Sequence, residues 1–400
     1  MLLLLILVEI VMLYQKNSFQ AKRILPEKFS NSDPNEVYIQ VKNKYPFKVL
    51  GSLIDELPFQ FQKRDFSIPF SLAGKNTTTL QYEVRPVERG EYFFGKINLY
   101  VSSAIGMVKR RYIFGEGQMV KVYPSYIQMK KFDFLAISNR LMFQGIKKVR
   151  RIGHTMEFEQ IKEYIPGDDV RTINWKSTAK KNQLMVNQYQ DEKMQPVYAI
   201  IDSGRVMKMP FNGLKLLDYA INSTLAFANI ALKKGDKTGM LEFANKIKNF
   251  VPAEGKKTHL NTILETLYKL DTHFLDSDYG ALQLFVKKNI NQRSLLILYT
   301  NFEHISSLHR QLPYLVSIAK KHLLLVVFFE NTELKKLTDK KAENLFEIYD
   351  QTIAQQFQYD KKIMMTELQK RGIQTILTAP ENLTVNTINK YLEIKAKGLL

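Results

Sequence analysis

Cysteine is absent from the chain. That removes a disulfide framework, a thiolate zinc centre and a cysteine nucleophile together. Histidine is scarce, with six residues at 154, 259, 273, 304, 309 and 322. No pair has the spacing of a helical metal motif, so a histidine-based metalloenzyme is not expected. Neither a G-x-x-x-x-G-K-S/T loop nor a G-x-G-x-x-G loop occurs, so nucleotide binding has no motif behind it. Tryptophan occurs once, at Trp175. Acidic residues are in the minority, 39 against 58 Lys and Arg, for a net charge of +19. That charge favours an acidic partner: anionic lipid, nucleic acid or an acidic protein. The basic clusters lack the interleaved aromatics of a nucleic-acid platform, so no specific nucleic-acid partner is expected.

At 45% apolar and 24% charged residues the composition is ordinary for globular proteins. It excludes wholesale disorder, collagen and coiled coil. Four hundred residues imply two or three domains. Residues 2–14, LLLLILVEIVMLY, are apolar except for Glu9. As a helix this run reaches roughly 20 Å, short of the ~30 Å hydrocarbon core of a bilayer. It reads as the tail of a span that begins upstream, as a short anchor, or as a helix packed on the protein. Residues 1–15 are therefore expected to be a partial membrane anchor. Lys16, Lys22, Arg23 and Lys28 follow it, which puts the bulk of the chain on the cytoplasmic side of the cytoplasmic membrane.

Residues 30–125 carry short β-branched and aromatic runs separated by Gly, Pro, Asn and Asp: 37–43, 46–57, 77–84, 90–103 and 118–124. Strands at this spacing predict a small all-β, antiparallel sandwich. Residues 126–195 read as a connecting region, with a basic cluster at Lys147, Lys148, Arg150 and Arg151. Residues 196–400 alternate apolar strands (197–202, 294–300, 322–330, 373–379) with helical stretches such as 213–235 and 259–270. The pattern predicts an α/β domain with a mostly parallel sheet and helices on both faces. Ligands of such sheets bind at the carboxyl ends of strands near the switch in strand order, where Asp202, Thr300 and Asn301 stand.

The segment Glu157-Phe158-Glu159 to Tyr164-Ile165-Pro166-Gly167-Asp168-Asp169-Val170-Arg171-Thr172-Ile173-Asn174-Trp175-Lys176-Ser177-Thr178-Ala179 is distinctive. Pro166-Gly167 is a turn signal. Asp168 and Asp169 can cap a short helix beginning near Val170. Arg171 and Lys176 are available to nearby carboxylates, and Trp175 can bury its ring and present its indole N–H. Glu157, Tyr164, Pro166, Gly167, Asp168, Asp169, Arg171, Trp175 and Lys176 are the candidate partner-binding residues, since Trp and Arg are typical hot spots. An ion-pair network that fixes the segment to its domain is the competing reading. A catalytic role for the paired aspartates is not supported.

This segment resembles the signature of a bacterial family of membrane-anchored proteins, family 58 of domains of unknown function. The family pattern is E-F, then R-x-Y-x-P-G-D-D-x-R-x-I-x-W-K-x-T-A-R. Here Lys162 or Glu163 stands where the first Arg should, and Lys180 replaces the last. The resemblance implies two N-terminal spans, a β-rich region and a C-terminal domain similar to the von Willebrand factor A fold. It also implies a MoxR-type AAA+ ATPase as partner. The A fold carries a divalent-metal site from an Asp-x-Ser-x-Ser loop, a Thr and an Asp. In this chain those positions read Asp202-Ser203-Gly204-Arg205-Val206, Thr258 and Asn301. Both serines of the first loop are replaced, leaving at most three side-chain oxygens and one formal charge for an ion such as Mg²⁺ that demands octahedral ligation. The expectation is no metal and no cofactor, with Asp202 and Thr258 tying loops and Arg205 as the charge partner. The expected function is a non-enzymatic, membrane-tethered adaptor. The alternatives are a metal-dependent ligand binder or enzyme using Asp202, and an envelope nucleic-acid binder driven by charge.

Overall fold

A computed structural model describes residues 2–14, 19–63, 65–130, 156–166, 170–191, 194–272, 274–339 and 344–399. Contacts divide the chain into two units. The first comprises residues 1–134, 207–226 and 260–274, and the second 135–206, 227–259 and 275–400.

The first unit opens with helix α1 (Leu2–Tyr14) and continues as β1 (Phe19–Ile24), β2 (Lys28–Ser30), β3 (Asn35–Asn43), β4 (Val49–Asp55), β5 (Ile68–Leu72), β6 (Thr77–Val84), β7 (Gly90–Phe94), β8 (Ile97–Ser102), β9 (Lys109–Phe114) and β10 (Gln118–Tyr123). They form three sheets, β1-β3-β6, β2-β10-β7 and β5-β4-β8-β9. Alternation builds them: Val37, Ile39 and Val41 of β3 are buried while Glu36 and Gln40 face out. All three sheets contribute to one apolar cluster that includes Phe29, Ile39, Leu53, Val84, Phe94, Leu99 and Val122. A buried ion pair, Arg23 with Asp55, crosses it, and Tyr82 donates to the same carboxylate.

Two expectations change here. The run 90–103 is not one strand: Gly95-Lys96 breaks it, and β7 and β8 join different sheets. At that break the Gly95 N–H bonds Glu56 O (2.8 Å) and the Lys96 N–H bonds the Glu56 carboxylate (2.8 Å), with Glu56 packed where a Cβ on Gly95 would stand. The sheets are also not wholly antiparallel, because β2 pairs with β10 in parallel.

In the second unit β11 (Met156–Glu163) and β12 (Met185–Asp191) form a two-stranded antiparallel sheet, with α2 (Trp175–Lys181) in the connection. Then follow β13 (Pro196–Asp202), the small hairpin β14 (Pro210–Phe211) and β15 (Leu214–Lys215), and α3 (Leu216–Lys233), the hairpin and the start of α3 being counted with the first unit. Positive φ at Asn212 and Gly213 makes that hairpin turn, so α3 begins three residues later than the apolar periodicity predicts. The chain continues as β16 (Lys237–Phe243), β17 (Ile247–Glu254), α4 (His259–Tyr268), α5 (Tyr279–Asn289), β18 (Leu295–Tyr299), α6 (Ile305–Ala319), β19 (Leu323–Phe329), α7 (Thr332–Asp339), α8 (Leu345–Gln369), β20 (Gln374–Thr378) and α9 (Leu383–Ala396). The six-stranded sheet has the order β17-β16-β13-β18-β19-β20, parallel throughout except for the edge strand β17. β13 and β18 are buried on both faces, which is why they read as continuous apolar runs. One face packs Tyr198, Ile200, Leu296, Leu298, Leu324 and Val326 against α5, α6 and the end of α8. Among the described residues no helix is long and apolar enough to cross a membrane.

His322 enters β19 buried, and neither ring nitrogen meets a protein partner among the described residues. Burial, with the Lys321 charge beside it, pushes its pKa down to about 4. The neutral ring is the form the fold holds, so its contribution is complete above the unfolded value near 6.5 and is lost as pH falls toward 4. Urea melts from pH 7 to 4 should therefore lose roughly 2–3 kcal/mol more for the wild-type chain than for His322→Leu. Parallel pH curves for the two proteins would contradict this.

Candidate functional site

The six-stranded sheet switches direction between β13 and β18: the chain leaves β13 toward β16 and β17, then returns to β18, β19 and β20 on the other side. Asp202 ends β13 and Thr300 follows β18, so both stand at the carboxyl ends flanking the switch. The Asp202 carboxyl is fully buried. Its Oδ1 accepts from the Gly204 N–H (2.8 Å) and from the Ser277 hydroxyl. Its Oδ2 accepts from Thr300 Oγ1 (2.8 Å) and Tyr279 OH (3.3 Å), and those two hydroxyls lie 2.7 Å apart. Burial pushes the Asp202 carboxyl up, and the four donors pull it back only part of the way. Burial and the Asp202 charge hold the Tyr279 phenol well above its ordinary value.

Ser277 explains why residue 204 is glycine. A Cβ at Gly204 would collide with Ser277 Oγ, so a hydroxyl from the loop before α5 fills the space a side chain in the first loop would use. On the far side of the switch, Asn301 Oδ1 accepts from the ammonium of Lys361 on α8 (2.5 Å), which also donates to Phe302 O. Burial pushes Lys361 down to about 8, with the Glu303 charge opposing. A cleft of about 120 Å³ opens here, lined among others by Arg205, Asp276, Glu303 and Arg310.

The expected site residues are thus partly gathered. Asp202 and Asn301 line one cleft. Thr258 is exposed on the turn before α4 and is not among the cleft-lining residues; Ser277, Tyr279 and Thr300 supply the hydroxyls instead. Arg205 is not the partner of Asp202: it pairs with Asp276 at 2.8 Å, both largely exposed. Ser277, Tyr279 and Lys361 carry no motif. The one signal for the first two was Asp278, which caps α5 by accepting from the Ala281 N–H ahead of apolar residues at 282, 286 and 290.

In the signature segment, the helical turn begins at Val170 and α2 follows, capped by Asn174, which accepts from the Ser177 N–H at 3.0 Å. Asn174 N–H bonds Met185 O (2.8 Å), Met185 N–H bonds Thr178 Oγ1 (3.0 Å) and Tyr164 N–H bonds Leu184 O (2.8 Å), so the helix is tied to the start of β12. The Trp175 ring, which could be buried or serve as a contact, is 70% exposed. The capping and backbone bonds anchor the segment without it. Ile165, Pro166, Val170, Lys176 and Leu184 are exposed on the same segment, and Tyr164 is half-buried. Gly167, Asp168 and Asp169, with the side chains of Glu157 and Arg171, lie outside the described residues.

The family described as protein of unknown function DUF58 matches residues 160–367, and the chain belongs to it. An uncharacterised protein of Bacillus subtilis, YeaD, is 24% identical over 264 residues, 64% of this chain and 63% of its own length. The chain thus spans less than two thirds of that relative. Among solved structures, the conserved hypothetical protein BatB from Bacteroides thetaiotaomicron aligns at a TM-score of 0.33 and 12% identity, over 51% of this chain and 99% of that one. The CARDB domain of a Pyrococcus furiosus protein aligns at 0.20 and 16%, over 26% of this chain and 91% of that one.

Asp202→Ala leaves four donors without their acceptor and should cost about 2–4 kcal/mol. Asp202→Asn keeps an acceptor for Gly204 and Ser277 and offers N–H groups to the two remaining hydroxyls. Because the folded-state pKa of Asp202 is raised, wild-type stability from this group is present in acid and is lost as pH rises through that value. Denaturant melts at pH 4.5 and 7.5 should show the Asn variant gaining on the wild type at the higher pH. A variant that falls behind as pH rises would contradict the direction of the shift.

Proposed function

We propose that this chain is a non-enzymatic, membrane-tethered docking protein, and that the segment from β11 to β12 is its partner-binding surface. The exposure of Trp175 carries the reading. A tryptophan left in solvent, amid exposed Ile165, Val170 and Leu184 and beside Lys176, Lys180 and Lys181, has the composition of an interface hot spot rather than of a structural anchor. The family resemblance points to a MoxR-type AAA+ ATPase as the partner, in a remodelling or maturation role, with the bulk of the chain in the cytoplasm. The strand order, with one antiparallel edge and a site at the switch, supports a von Willebrand factor A-like fold for the second unit.

The donor set at Asp202 does not fit a divalent ion. Its two oxygens face four donors, and Asn301 already holds the Lys361 ammonium. An octahedral cation would need those lone pairs back. The competing reading is a metal-dependent ligand binder or enzyme using Asp202, in a cleft whose wall also carries Asp276 and Glu303.

Trp175→Ala combined with Arg171→Ala should weaken partner capture from native membranes at least tenfold while lowering Tm by no more than a few degrees. A large fall in Tm with capture unchanged would favour a structural role for the segment. Melts with millimolar EDTA and with millimolar Mg²⁺ or Mn²⁺ should coincide, since only a ligand of the folded state raises Tm by mass action. A rise of several degrees with metal that disappears in Asp202→Ala would promote the metal-dependent alternative.

A further inference from the structure

Helix α1 is joined to the β unit through its one charged residue. Glu9 is fully buried. Its Oε1 accepts from Ser103 Oγ (2.6 Å), and its Oε2 accepts from the Met107 and Val108 N–H groups (3.0 Å each). One turn on, Leu13 is buried and its carbonyl accepts from Tyr45 OH and the Arg110 guanidinium. The cation lies at the helix C-terminus, where the helix dipole favours it.

At 100° per residue, Leu5, Ile6, Glu9 and Leu13 share one arc of about 100°, and these are the buried or half-buried positions. The remaining arc carries Leu3, Leu4, Leu7, Val8, Ile10, Val11, Met12 and Tyr14, all exposed, with Leu3 at 83%. No polar side chain interrupts it before Tyr14. The loop that grips Glu9 continues the surface, because Ile105 and Met107 are exposed on it. Lys109 and Arg111 follow, exposed, and Arg110 stacks on Tyr14 at 4.7 Å.

We propose that the outer arc of α1 and the 104–108 loop form one lipid-contacting face, and that Glu9 is the latch that holds the β unit against an anionic bilayer. The inference rests on the membrane reading above and adds a second contact to it. The occupant is lipid because the arc is aliphatic and offers no polar atom to orient a protein partner, whose interface core is enriched in aromatics and Arg. Its end carries the Tyr and basic residues that favour the headgroup level. The carboxylate is no obstacle, since it faces the protein and its hydrogen bonds are made there.

The test uses the full chain with Trp175→Phe, so that Met107→Trp is the only indole. The probes are vesicles of phosphatidylcholine with phosphatidylglycerol, with and without brominated acyl chains. The chain is expected to float with vesicles, and the indole at 107 to be blue-shifted and quenched several-fold by brominated lipid. Adding Glu9→Ala should abolish most of that quenching while flotation persists through α1. Glu9→Gln, which keeps acceptor Oε1, should lie between, and near-ultraviolet circular dichroism checks that each variant is folded. Lys109→Ala should weaken binding to anionic vesicles roughly fivefold and leave neutral ones unchanged. Failure of the wild-type chain to float, or a stable dimer in buffer that ignores vesicles, overturns the membrane reading and this inference together. Flotation with an unquenched indole at 107, or quenching indifferent to Glu9→Ala, overturns the inference alone.

Discussion

A buried carboxyl group has to be met by donors, and in this chain that requirement sets how distant segments join. Asp202 draws in the loop after β13, the loop before α5 and the end of β18, with partners 75 and 98 residues away in sequence. Asp236 fastens α9 through Tyr391 and Lys395. In the β unit Asp55 holds Arg23 and Tyr82, Asp33 gathers Ser30, Ser125 and Gln128, and Glu9 gathers the 103–108 turn. Apolar burial stabilises each unit without direction. The carboxylates add direction, because an unmet buried acceptor costs far more than a met one contributes.

The same economy accounts for the site at the sheet switch. A parallel sheet leaves a crevice where strand order reverses. Here the crevice stays open as a cleft, but the chain's own groups engage its polar atoms: hydroxyls on Asp202 and an ammonium on Asn301. The signature segment differs. Among its described residues, Asn174 caps α2 and Thr178 ties it to the start of β12, while Val170, Trp175 and Leu184 are exposed. That arrangement suits the proposed docking role, which needs a fixed backbone under exposed side chains.

Much of the second unit was legible, because strands buried on both faces leave uninterrupted apolar runs such as 197–202 and 322–330. Asp202, Thr300 and Asn301 could be placed at strand ends for the same reason. Ser277, Tyr279 and Lys361 could not, since single polar residues on separate elements carry no spacing signal. Thr258 was assigned from a family position, and sequence order does not say which loop brings a hydroxyl to Asp202. The break at Gly95-Lys96 was hidden because both flanks are good strands, and only Glu56 shows where the chain changes sheet. The residue type of Trp175 fits either a buried ring or an exposed contact, and only the structure shows that the ring is exposed.

The proposed docking role requires the face around Trp175 to meet a partner rather than the chain itself. A photo-crosslinking phenylalanine analogue placed at position 175 in cells, followed by mass spectrometry of the adducts, tests it most directly. The adducts expected are dominated by one other protein, an AAA+ ATPase, and vanish when the analogue is moved to the buried position Val186. Adducts confined to this chain, or spread evenly over unrelated proteins, would contradict it.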